Sequence, residues 1–256
     1  MEHRCGRSRY DARPGARLAI GVRARPTIAA VQEDAAHRPF RDMTLGAFAD
    51  RLASAEPVPG GGSAAAVTAA IAAGLVSMVA ALSQDRPRYA QHAGLHGEAQ
   101  AAGRRLSDRC LELADEDAVA YARFASALKM PRDDDAQIAA RREAMQIAAR
   151  GAAEVPMLCV EACLEIAGYA EALAGRSNTN ASSDVVVASL LAEAAAQGAG
   201  RNVLVNLPAT GDGAFEGTMT ARLDAMIDEV ERLAARVREV VGGGDTREPL
   251  PGSHGG

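Results

Sequence analysis

The sequence has no tryptophan, and only four tyrosines and four phenylalanines in 256 residues. Its apolar fraction of 48% therefore rests mainly on Ala, Val, Leu and Ile, side chains suited to helices that pack closely. Histidine is also scarce: His3, His37 and His254 lie in the terminal segments, leaving His92 and His96. These two are spaced i,i+4, but no HExxH pattern or acidic partner frames them as a metal site, and a solvated helix face is the expectation. Without a well-placed histidine, a Ser-His or Cys-His nucleophile is not expected, and any proton transfer falls to a carboxylate. The four cysteines, Cys5, Cys110, Cys159 and Cys163, include no CxxC pair. Cys159 and Cys163 read as small core residues, and the lack of a secretory signal fits a reducing cytoplasm.

Cationic charge is missing where nucleic-acid binding would need it. Residues 1–42 hold nine arginines against five acids, so the rest of the chain carries −9 of the formal −5. So acidic a body argues against wholesale nucleic-acid binding, which needs many cationic contacts to phosphates. One long run, Gly60 to Gln84, has no charged residue at all. It passes the length test for a membrane span, yet it is rich in Ala, Gly, Ser and Thr and lacks flanking Trp and a basic cluster. A buried core helix, with side chains small enough for another backbone to approach, is expected, and no membrane.

Strand alternation is absent; Asp184-Val185-Val186-Val187 is the one short β-branched run. What is present is helical periodicity, which predicts helices over about Leu45 to Ser54, Ser63 to Ser83 and Tyr89 to Leu128. Others are predicted from Asp135 to Ala153, with a break at Pro156 before the run continues to Leu173, then Ser182 to Leu207 and Phe215 to Val241. The fold class is all-α, a helical bundle. Residues 1–42 read as a disordered extension, either a transit-type segment or an over-extended start ahead of Met43. Residues 43–241 form the helical domain, and 242–256 a disordered Gly/Pro-rich tail.

Among the acids, Asp117 stands out in Asp115-Glu116-Asp117. It shares a helical stripe with Cys110, Ala114, Tyr121, Phe124 and Leu128, whereas Asp115 follows Asp108 and Glu112 on a solvated face. A carboxylate against apolar surface loses hydration, so its pKa rises toward the range of a general acid. The pattern equally admits an aspartate at the stripe's edge, pointing to water. Gly60-Gly61-Gly62-Ser63 precedes a helix and could receive a ligand oxygen on its free N–H groups, or be a turn with Ser63 as N-cap. Asn178 and Ser182-Ser183-Asp184 mark another loop-to-helix junction, where Asp184 could accept hydrogen bonds from an amino-substituted heterocycle or simply cap the helix. Asn202 and Asn206, i,i+4 in an apolar run, need partners from another helix or a ligand.

In chain order these stretches resemble the formimidoyltetrahydrofolate cyclodeaminase/methenyltetrahydrofolate cyclohydrolase family, from about Met43 to Val240. The markers are Pro57-Val58-Pro59-Gly60-Gly61-Gly62-Ser63, Asp115-Glu116-Asp117, Ala127-Leu128-Lys129-Met130-Pro131 and Val155-Pro156. Asn178 with Ser183-Asp184, and Asn202-Val203-Leu204-Val205-Asn206-Leu207, complete the set. The resemblance implies an all-helical homodimer acting on a tetrahydrofolate derivative, with no further cofactor and no metal. It implies Asp117 as catalytic proton donor, and Gly60, Gly61, Gly62, Ser63, Asn178, Ser183, Asp184, Asn202 and Asn206 as residues that line or support the substrate site. Where family members often carry a Gly/Lys-rich stretch, this chain has Asp85-Arg86-Pro87-Arg88-Tyr89, whose arginines offer charge to the glutamate tail of folate. The absence of a fused formimidoyltransferase domain inclines the expectation toward the cyclohydrolase. The rival reading is a non-catalytic helical scaffold or folate-binding protein.

Overall fold

A computed structural model describes residues 39–250. They form six helices: α1 (Leu45–Leu52), α2 (Gly61–Ser83), α3 (Ala93–Leu128), α4 (Asp135–Leu173), α5 (Ser182–Asn206) and α6 (Gly213–Gly243). Short 3₁₀ turns at Phe40–Asp42, Pro87–His92, Thr179–Ala181 and Leu207–Thr210 link them, and there is no strand among the described residues. Helix starts follow side-chain chemistry: Thr44, Asp134 and Asp212 accept the N–H of Ala47, Gln137 and Phe215, satisfying donors that have no partner within the first turn.

Helix α2 is packed by α3, α4 and α5, and its buried face consists of Ala, Ser, Gly and Val. The small residues do what the sequence suggested. A Cβ at Gly103 of α3 would fall 2.7 Å from the Ala73 carbonyl oxygen and 2.8 Å from the Ser77 nitrogen, so backbone meets backbone at that crossing. Burial stops at half of the helix, however. Ile71, Met78 and Leu82 are 38–50% exposed, and they align with Gly74 in a continuous apolar stripe, so α2 is not enclosed as a central core helix would be. By length and composition it could cross a membrane.

Several expectations need correction. Residues 39–42 belong to the fold: the Phe40 ring is buried against Phe48 at 5.6 Å, and its N–H donates to Asp115 Oδ1 at 2.9 Å. Asp115 is consequently half-buried, not part of a solvated face. Helix α4 runs unbroken through Pro156, which lies buried inside it. Proline removes the N–H that would have bonded the Ala152 carbonyl. Asn206 Nδ2 of α5 supplies that hydrogen bond instead, at 2.8 Å.

His92 and His96 are buried, 4% and 0% exposed, where a solvated face was expected. His96 Nε2 lies 2.9 Å from the Arg176 carbonyl in the loop after α4, and that loop is in turn held by the chain beyond α6. Arg247 N donates to the Gly175 carbonyl at 3.0 Å, Arg176 Nε to the Glu248 carbonyl at 2.6 Å, and Arg247 pairs with Glu171 at 2.9 Å. The described part of the expected tail is thus a pinned strap. The remainder of the tail, and residues 1–38 of the N-terminal extension, lie outside the described residues.

Candidate functional site

Gly60, the residue that caps α2, has no side chain to bond the first-turn N–H groups. A carboxylate from α3 fills that position. Asp117 Oδ2 accepts from Ser63 Oγ at 2.9 Å, and the Ser63 backbone amide also draws the carboxylate toward its ionised form. A Cβ on Gly62 would come within 2.6 Å of Asp117 Cγ, so only glycine lets the acid approach this closely. Ser63 is the third residue of the helix, fully buried, and not its N-cap.

The Asp117 pKa is raised, first by desolvation, against the opposing pull of the two Ser63 hydrogen bonds. Its stripe explains the half-burial. Cys110 and Ala114 are fully buried, while Tyr121 and Leu128 are about 45% exposed, so Asp117 stands where α3 leaves the core. The neighbouring acids turn elsewhere: Asp115 holds Phe40, and Glu116 pairs with Arg109 at 2.5 Å. Next to them a cleft of about 830 Å³ opens between α3 and α4. Val119, Ala120, Met130, Ile147 and Val155 make its walls apolar, and Glu116 and Arg123 are charged groups on its rim. Glu116 and Ala120 flank Asp117 on the same helix.

Asn202 of α5 lies across from Gly61, its Nδ2 3.6 Å from where a Cβ of that glycine would be. Its amide donates to Gly198 O at 2.9 Å. Asn206 spends its two donors on the Ala152 and Asn202 carbonyls, both at 2.8 Å. Gly60 to Ser63, Asp117, Asn202 and Asn206 therefore gather at one end of α2.

Asn178, Ser183 and Asp184 do not join them within the chain. Asn178 is buried at the other end of α2, its N–H donating to Ser83 Oγ at 2.8 Å and its Nδ2 to Leu82 O at 3.2 Å. Twenty helical residues separate Gly62 from Leu82, about 30 Å at the usual rise. Ser183 is exposed and Asp184 half-buried in the first turn of α5 nearby. Tyr89 bonds Thr179 at this same end through its hydroxyl, at 3.1 Å to the amide, which places Arg86 and Arg88 here too. The predicted residues thus form two groups at opposite ends of one helix.

The cleft itself was missed, although Ala127, Met130 and Val155 in its wall belong to stretches the sequence had marked. The three described cysteines are buried, the Cys110 thiol pushed up to about 12 by burial, as core residues should be. No group of three His, Cys, Asp or Glu among the described residues is arranged to hold a metal ion.

Comparison with known proteins matches this architecture. The family model described as Formiminotransferase-cyclodeaminase covers residues 44–225. A methenyltetrahydrofolate cyclohydrolase of Methylorubrum extorquens is 33% identical over 198 residues, spanning 77% of this chain and 95% of that protein. The formimidoyltransferase-cyclodeaminase of Sus scrofa is 32% identical over 78% of this chain, which corresponds to only 36% of the animal protein. The crystal structure of formiminotetrahydrofolate cyclodeaminase from Thermotoga maritima superposes with a TM-score of 0.72 at 28% identity, over 79% of this chain and 98% of that one. With helices, motifs and structural neighbour in agreement, the chain belongs to the formiminotransferase-cyclodeaminase family.

Proposed function

We propose that this protein is a cytoplasmic folate enzyme that opens and closes the methenyl bridge of tetrahydrofolate, with Asp117 as its proton-transfer group. The carrying observation is a half-buried carboxylate at a glycine-rich helix start, its pKa raised, on the helix that walls a cleft large enough for a folate. Of the two family activities, we propose the cyclohydrolase; what supports it is that a relative of that name matches over 95% of its own length at 33% identity.

In the hydrolytic direction the amidinium carbon of the methenyl bridge is already electrophilic. Asp117 takes a proton from water as the C–O bond forms, then returns it to N5 as the C–N5 bond breaks. The carbinol O–H proton passes to solvent as the formyl C=O forms. In the deaminating direction Asp117 takes the N10 proton as N10 closes on the protonated formimidoyl carbon, then passes it to the amine, which leaves as ammonia as the methenyl bridge forms. A single carboxylate of raised pKa serves either, and neither direction calls on a metal or a further cofactor.

The working unit we propose is a homodimer. Ile71, Met78 and Leu82 are exposed on α2, and Val187 and Leu190 are 43% and 44% exposed on α5, which packs against it. An apolar face this size is better covered by a second copy than by water or lipid. A two-fold axis near the middle of α2 would bring the Gly60–Ser63 end of one copy beside the Asn178–Asp184 end of its partner, uniting the two groups. The test is turnover of methenyl- and formimidoyl-tetrahydrofolate in parallel, read from loss or gain of the bridged chromophore. Failure on both substrates with folate still bound would favour the non-catalytic binding protein.

A further inference from the structure

Every buried polar group must keep a partner, and the fully buried Ser63 hydroxyl sits beside an acid, Asp117, that has to adopt two protonation states. The side chain beside it can serve both. Ser63 Oγ lies 2.9 Å from Asp117 Oδ2 and 3.2 Å from the Ala114 carbonyl, and it has one hydrogen to give. When Asp117 is ionised, the hydroxyl donates to it. When Asp117 carries a proton, the carboxylic O–H donates to Ser63 Oγ, which turns its own hydrogen to Ala114 O. No bond is made or broken at Ser63; only its rotor changes.

We propose that Ser63 is a positioning residue which switches its hydroxyl between Asp117 and the Ala114 carbonyl, so that the acid can gain and lose a proton without stranding a buried polar atom. This rests on the role of Asp117 proposed above. Ser63 is fully buried and turned to α3, so it does not contact substrate. The surroundings leave the task to it. Asp115 is engaged by Phe40 N–H and Glu116 by Arg109, and from α5 the neutral amide of Asn202 faces Gly61, one residue before Gly62. Gly62 keeps the carboxylate within reach, since any side chain there would push it away.

The experiment compares Ser63→Ala and Ser63→Thr with the unaltered protein. Alanine removes both roles, and ionised Asp117 loses its charge-assisted partner. The limb of the kcat-against-pH profile governed by Asp117 should then move up by about one unit, with kcat down roughly tenfold and KM within about twofold. Threonine keeps the hydroxyl and should restore the profile; if the added methyl disturbs folding by circular dichroism, Ser63→Cys, a weaker donor, should fall between. A readout free of turnover is the ¹³C carboxyl resonance of Asp117, identified by its loss in Asp117→Asn, whose titration midpoint should rise in Ser63→Ala. An unmoved midpoint and profile would overturn the proposal, as would a KM rise at unchanged kcat. If the unaltered protein shows no turnover, the proposed function fails, while the carboxyl titration still decides the coupling of Ser63 to Asp117.

Discussion

Substituting Asn206 by alanine should destabilise the protein through a carbonyl 54 residues away. Pro156 deprives Ala152 O of its helical donor, and Asn206 Nδ2 replaces it at 2.8 Å while also holding Asn202 O. Asn206→Ala leaves the Ala152 carbonyl with no protein donor, a loss of about 1–3 kcal/mol for a buried group. Pro156→Ala returns an N–H to residue 156, so in the double variant Ala152 regains its i→i−4 partner. The two changes should therefore be non-additive, the double variant recovering about 1 kcal/mol or more of the Asn206 loss. Urea unfolding of the four proteins at one fixed concentration measures the cycle, the fixed concentration removing any contribution from association. Strict additivity would refute the reasoning, because the amide would then not be serving the carbonyl that proline orphans.

Three further outcomes follow from the same geometry. Gly62→Ala should cut turnover sharply and destabilise by about 1–3 kcal/mol, since its Cβ would overlap the Asp117 carboxylate; unchanged kcat and midpoint would contradict that packing. His92 and His96 have lowered pKa values, chiefly from burial, and an unfolded chain binds their protons first. Stability should accordingly fall as pH drops below about 6.5, and His92→Gln/His96→Gln should flatten that stretch of the stability–pH curve; an unaltered slope would place the protons elsewhere. Ile71→Asp on the outer face of α2 should yield a folded monomer by sedimentation, and persistence of the oligomeric state of the unaltered protein would remove α2 from the interface.

Helical stripes carried most of the fold into view. Leu223, Val230 and Val237 of α6 are buried on one face, with Met226, Ile227 and Leu233 packed beside them, as the 3.6-residue period predicts. Asp117 was legible for a related reason: a charged residue interrupting an apolar stripe signals either an edge or a site, and here the stripe emerges from the core at that point. What escaped the sequence depends on distant segments. His96 read as solvated because its partner, the Arg176 carbonyl, lies 80 positions on in the chain. The Pro156 break was a sound local inference overridden by one amide from another helix. Asn178 and Asn202 share a motif set, yet the length of α2 keeps them apart within one chain, and no local pattern encodes that separation.

The most direct test is turnover of methenyl-tetrahydrofolate by Asp117→Asn beside the unaltered protein, with folate affinity and helix content measured on both. Asparagine fits the same space and keeps the contact with Ser63, but it has no proton to shuttle. Turnover should fall by at least roughly a hundredfold while affinity and helix content hold. Turnover at the unaltered rate would contradict the account.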